Sequence, residues 1–270
     1  MMMMRDQFKL DIQNALERSS PVTTKGFPSV PAGTFAAHDL AKELVATAIC
    51  NDPRFAHPFL RDIANGTWSR AQLREWARQD YASIIGTIRR HVLAAANCDE
   101  CDLLRSLLGF VCIEADADPV GGAFFSLPQL WVKFGISLGL TRDEMIHFQP
   151  HPTLRGWNER ALSAARESTE VPVSLLIDAM VTPGLQLILG EALQRQLGLP
   201  RDALDFFWAA AGNRWGEEVA WPILEGWCSS PAAQANTWKR YCAERERVPE
   251  HERLSNLQTI LQEIVGNSPV

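Results

Sequence analysis

The chain lacks most of the signatures by which a sequence declares its chemistry. It has no GxGxxG, GxxxxGK[ST], HExxH or GxSxG. Dinucleotide-binding, P-loop, zincin and α/β-hydrolase motifs are therefore absent. No run of ~18 uninterrupted apolar residues occurs, so no membrane span is expected. Basic residues are outnumbered, 26 against 32, and the net charge of −6 argues against nucleic acid as the main partner. Six cysteines in 270 residues do not read as a secreted disulfide framework. Cys98-Asp99-Glu100-Cys101 is a lone CxxC with no second pair at zinc-ribbon spacing, and reads as ordinary reduced thiols. Met1 to Met4, then Arg5, Asp6 and Gln7, supply no apolar core of an export signal. A soluble, cytoplasmic protein is expected. Tyrosine is nearly missing, with two residues against nine Trp, and this is the compositional outlier.

What remains is an ordinary globular composition, 46% hydrophobic and 21% charged. Strand signals are nearly absent, and the pattern predicts an all-α chain. Helices are expected over 6–18, 39–50, 53–64, 69–97, 100–116, 127–138, a short piece from Thr141, 153–169, 172–197, 201–228 and 231–264. Ser69 with Gln72 and Thr141 with Glu144 are capping boxes. Breaks are expected near Pro183-Gly184 and a bend at Pro249. Pro21, Gly26, Pro28, Pro31 and Gly33 mark a loop or arm. The domain reading is a helix and flexible arm over 1–36, loosely attached to a single helical domain over 37–270.

Three groups of polar residues stand where helical periodicity invites burial. Trp76, Asp80, Ser83, Thr87 and His91 follow one stripe of the 69–97 helix. Either they line a pocket, where a carboxylate and an imidazole need partners, or they form a solvated face with Trp76 half covered. Glu114 closes an apolar helix and fits a metal ligand, a general base or a cap partner. Arg214 with Glu217 or Glu218 pairs along one face beside Trp208, Trp215 and Trp221. That pair is either a weak surface bridge or part of a partly buried acid–base site.

Several segments, in order, resemble one family. They are His57-Pro58-Phe59, Asn65-Gly66, Gln72-Leu73, Trp76, Gln79-Asp80-Tyr81 and Ala95-Ala96-Asn97-Cys98, followed by Leu130-Trp131, Phe134-Gly135 and Leu138 to Glu144. Over roughly 38–245 the chain resembles the TenA/PqqC branch of the heme-oxygenase-like superfamily. The resemblance implies a multi-helix bundle around a central small-molecule pocket, usually a homodimer. Thiamin-salvage members of that family place a nucleophilic Cys after a Pro in a central helix, whereas Pro183 is followed here by Gly184. Their early Asp is matched by Asp80, but the Tyr three residues on is Ser83. Di-iron members need a Glu, a His opening the next helix, a later Glu and an H-x3-D-x2-H run. Glu114 matches the first, while the others fall near Leu127, Thr182 and Ala211, Trp215 and Glu218. The usual di-iron set is therefore incomplete. The cofactorless quinone-forming oxidase is the best match, yet its His- and Arg-rich pocket is not reproduced.

These readings converge on a small-molecule biosynthetic enzyme that performs an oxygen-dependent oxidation without a standard di-iron centre. Glu114, Asp80 and His91 are the expected catalytic residues. Trp76, Ser83, Thr87, Arg214, Trp215 and Glu218 are the expected substrate contacts. Dioxygen is the expected co-substrate, and a small molecule is the expected partner. Two alternatives stay open: a non-catalytic binding protein of the same fold, and a non-heme iron oxidase with atypical ligands drawn from Glu114, His91 and Glu217.

Overall fold

The computed structural model describes residues 2–17, 36–115, 126–167 and 171–266, without the side chains of 2–6, 113–115, 171 and 264–266. Among the described residues there are helices and turns but no strand. In chain order the helices are α1 (Met2–Leu16), α2 (Ala37–Asn51), α3 (Pro58–Ala64), α4 (Arg70–Ala96), α5 (Cys101–Ala115), α6 (Leu127–Ser137) and α7 (Arg142–Ile146). There follow α8 (Pro152–Glu167), α9 (Val171–Leu197), α10 (Asp205–Gly212), α11 (Trp221–Trp227), α12 (Pro231–Arg247) and α13 (Glu250–Gly266). A 3₁₀ turn, Arg201–Leu204, precedes α10, and a π-helical turn, Gly216–Ala220, precedes α11.

The capping boxes do what their sequence requires. Ser69 and Thr141 accept from the amides of Gln72 and Glu144, whose side chains accept in return from the cap amides. Ser126 and Gln129 form a third box at α6. Gly139, at φ +95, turns the chain out of α6 in a region that side-chain-bearing residues avoid.

Three expectations need correction. First, α9 runs unbroken through Pro183. A mid-helix proline forfeits a hydrogen bond, but α9 buries Val173, Leu176, Ile177, Leu189 and Leu193 in the core, which outweighs that loss. Second, 201–228 is not one helix. Asn213 leaves helical geometry and its side chain accepts from the Trp215 amide at 2.8 Å. The chain then underwinds into a π turn, with the Trp221 amide reaching back five residues to the Gly216 carbonyl. Third, 231–264 is two helices, because Pro249 separates α12 from α13.

The long helices α4 and α9 organise the bundle. Helix α4 packs against α5, α6, α8 and α13, and α9 packs against α1, α3, α10, α12 and the π turn. Helix α1 is not loose: Phe8, Ile12, Ala15 and Leu16 join the main core, and Lys9 pairs with Glu191 at 3.1 Å. The proposed arm, apart from its last residue, lies outside the described residues. The apolar stretch Pro172–Leu197 has the length and hydropathy of a membrane span, but 78% of that window is buried against other helices, as in the core of a soluble bundle.

Candidate functional site

The stripe on α4 faces inward. Trp76, Asp80, Ser83 and His91 are buried, and Thr87 is partly so. Trp76 is the hub of an aromatic cluster. Its ring meets Trp131 at 5.0 Å, Phe59 at 5.9 Å, Phe134 at 6.1 Å and Trp68 at 6.2 Å, all near edge-to-face. Such pairs contribute beyond their burial. Trp131 further anchors α6 to α4 by donating Nε1–H to the Ala77 carbonyl at 2.8 Å.

Asp80, expected as a base, is instead doubly engaged. Trp76 Nε1 donates to its Oδ2 at 3.1 Å, and Arg253 Nη1 of α13 donates to its Oδ1. Arg253 also pairs with Glu250 at 2.9 Å, and Glu250 lies 3.7 Å from Arg90 of α4. A second buried cluster lies between α9, α12 and the turn before α3. There Arg54 binds Asp52 and, at 2.8 Å, Asp178, while Arg245 also donates to Asp178. Burial alone would raise the carboxyl pKa values of Asp178 and Glu250. Arg245 and Arg54 beside Asp178, and Arg253 and Arg90 beside Glu250, outweigh that and hold both below the usual carboxylate range. Ser174 Oγ donates to buried Glu244 at 2.7 Å, which completes a polar layer in the bundle.

The expected site residues do not converge on one pocket. Ser83 and Thr87 face α8, where they border a void of about 10 Å³ shared with Arg90, Trp157 and Asn158. Such a void holds at most one water. Further along α4, the His91 ring lies 5.1 Å from Phe110 of α5, and Phe110 stacks on Trp215 at 4.3 Å and 27°. Trp215 Nε1 donates to the Ser106 carbonyl at 3.1 Å. His91 and Trp215 are thus brought together, through a residue the sequence reading did not single out. Glu114 is in α5, four residues beyond Phe110, but its side chain lies outside the described residues. Arg214 pairs with Glu218 at 3.2 Å with both side chains more than half exposed. That is the weak surface bridge. Glu217 is mostly covered, and its Oε1 is buried without a hydrogen-bond partner.

Sequence reasoning missed Arg54, Arg90, Asp178, Arg245, Glu250 and Arg253. Asp178 carried a readable signal, a carboxylate inside an otherwise apolar helix, which demands a buried cation. The arginines carried none, since nothing at their own positions names a partner across the bundle.

One sizeable opening lies at the other end of the site helix. A groove of about 510 Å³ runs between the start of α4, the loop before α8, the first turn of α8 and α13. Its floor includes buried Glu75, which accepts from Gln79 Nε2 at 2.8 Å and from Arg78. Gln79 Oε1 in turn accepts from the His151 amide at 2.9 Å, which fixes the Pro150-His151-Pro152 loop.

Residues 46–169 match the model of the TENA/THI-4/PQQC family. A domain of unknown function with a heme oxygenase-like fold from Shewanella denitrificans OS217 superposes with a TM-score of 0.59 at 13% identity, over 86% of this chain and 93% of that one. The chain is thus similar to the TENA/THI-4/PQQC family over residues 46–169 and shares the heme-oxygenase-like fold. A TenA homologue from P. horikoshii OT3 superposes with a TM-score of 0.53 at 14% identity, over 93% and 98% of the two chains. At these identities the superpositions speak for the fold alone. No curated protein matches the sequence.

Some members of the TenA/PqqC-like group imply a di-iron centre, and the described residues do not fit one. Leu127 and Ala211 offer no ligand atoms, and Trp215 turns its indole to Phe110 and Ser106. The atypical set of Glu114, His91 and Glu217 includes Glu114, whose side chain lies outside the described residues. Among the described residues no three His, Cys, Asp or Glu side chains gather in a way that could hold a metal ion. The match of residues 46–169 to the TENA/THI-4/PQQC family suggests a role in small-molecule biosynthesis or salvage.

Proposed function

We propose that this protein oxidises an electron-rich small molecule with dioxygen, using its own side chains to manage protons. The observation that carries this reading is the His91–Phe110–Trp215 stack, which gathers an imidazole and two aromatic walls one helical turn from Glu114. Glu114 takes a proton from the substrate as its electron density rises, and His91 relays it. Two electrons and two protons leave the substrate and reduce one dioxygen to hydrogen peroxide. General base help of this kind supplies ~10²–10⁴-fold. Asp80 is a structural partner of Arg253 and Trp76 in this scheme, not the base.

The test is oxygen uptake and peroxide formation by the full chain with catechol and aminophenol probes. Glu114→Gln is expected to lower turnover by at least ~100-fold while leaving probe affinity unchanged. Turnover in Glu114→Gln and His91→Phe equal to that of the unmodified protein would overturn the scheme. A second reading, ligand binding without turnover, is favoured by the engagement of Asp80. Saturable probe binding with no oxygen uptake by the unmodified protein would establish it. Metal analysis after expression with iron separates both from an iron oxidase with unorthodox ligands.

A further inference from the structure

The groove at the start of α4 has a composition that selects a ligand class. Two side chains on its walls carry opposite charge and are unspent. Arg155, in the first turn of α8, and Glu263, in α13, both line it. Among the described residues neither has a hydrogen-bond or ion-pair partner. Of the other charged groups, Glu75 is bound by Gln79 and Arg78. Arg78 is engaged through one Nη and lies 5.0 Å over the Phe148 ring, although its buried Nε has no hydrogen-bond partner among the described residues. Phe148 and buried Ile260 provide apolar surface between the charged walls. The loop that carries the rim is pinned by the bond from the His151 amide to Gln79 and stiffened by Pro150 and Pro152. The groove is therefore preformed, and its volume of about 510 Å³ is that of a small-molecule site.

We propose that this groove binds a free aromatic α-amino acid. The ligand carboxylate pairs with Arg155, which presents a planar fork suited to it. The ammonium pairs with Glu263, and the ring packs on Phe148 and Ile260. A singly charged ligand satisfies one wall and leaves the other charge unmatched as it is desolvated. The site is distinct from the oxidative one, since Gln79 and His91 are separated by about 18 Å along the α4 axis.

Calorimetry on the full chain tests this with L-phenylalanine, 3-phenylpropanoate, which lacks the ammonium, and phenethylamine, which lacks the carboxylate. L-Phenylalanine is expected to bind saturably, and each analogue about tenfold more weakly, as for loss of one ~1.4 kcal/mol contact. Arg155→Gln should weaken L-phenylalanine about tenfold and leave phenethylamine unchanged, and Glu263→Gln should spare only 3-phenylpropanoate. Both residues are exposed, so neither change threatens the fold. Absence of binding tighter than about 10 mM overturns the proposal. So do analogues that bind as well as the amino acid, or variants that bind L-phenylalanine normally. Neither result bears on oxygen uptake, so this site and the oxidative one stand or fall separately.

Discussion

Arg253 of α13 donates to one oxygen of Asp80 in α4, while Trp76 Nε1 donates to the other at 3.1 Å. The pair joins helices 173 residues apart in sequence and ties the polar layer to the aromatic cluster. Removing one partner of a buried pair leaves an uncompensated charge, which costs about 3–5 kcal/mol. Arg253→Met is therefore expected to lower unfolding stability by about that amount in urea titrations. The double variant with Asp80→Leu should recover most of the loss, because neither charge is then stranded. A catalytic Asp80 would give the opposite pattern, with activity lost and stability kept.

Asp178 and Glu250 make the fold sensitive to acid. Both carboxyls are held below their ordinary range by flanking arginines, whereas in the unfolded chain they titrate near pH 4. The native state then binds fewer protons than the unfolded one. The stabilisation is complete above about pH 5 and is lost as pH falls toward the native pKa values. Urea midpoints should stay level from about pH 7 to 5 and decline below about pH 4. Asp178→Asn should be weaker at neutral pH, since Arg54 and Arg245 lose their common partner, and should show a shallower decline in acid. A parallel decline in the variant would refute this role for Asp178.

The helices were legible because each rests on local signals. Periodicity, the Ser69 and Thr141 boxes and Gly139 act over a few residues, and the structure reproduces them. The errors lie where distant packing decides. Nothing near Pro183 says that α1 will lie across Gly184, with Ile12 beside it and α9 continuous. Nothing near Asn213 foretells the π turn, which needs the Ala179 carbonyl as well as its own residues. The site was legible in part. The α4 stripe is buried, as one of its two readings required, but burial did not reveal that Arg253 would claim Asp80 from α13. A residue's partner across the bundle leaves no mark at its own position.

The six cysteines should react in an order set by exposure. Cys101 and Cys112 are exposed, whereas Cys228 is fully buried and its thiol is pushed up to about 12 by burial. The thiolate is the reactive form. In native protein at pH 8, a maleimide should label Cys101 and Cys112 first and spare Cys228 until denaturant is added. Mass mapping of labelled peptides gives the order. Early labelling of Cys228 would mean that the α11 end of the bundle opens far more readily than its packing implies.

Two buried glycines should differ sharply in their tolerance of a methyl group. At Gly135 an added Cβ meets the Sδ and Cε of Met145, a flexible side chain that can turn aside. At Gly216 it meets the carbonyl of Ala179, which belongs to the backbone of α9 and cannot yield without moving that helix. Gly135→Ala should therefore cost less than about 1.5 kcal/mol, and Gly216→Ala about 3 kcal/mol. The second change has a local signature too. Gly216 directly follows Trp215, so pushing the π turn off α9 should draw the indole away from Phe110, now stacked at 4.3 Å. Near-ultraviolet circular dichroism should lose aromatic intensity in Gly216→Ala and keep it in Gly135→Ala. An unchanged spectrum with native stability would show that the turn is not held by its close approach to α9.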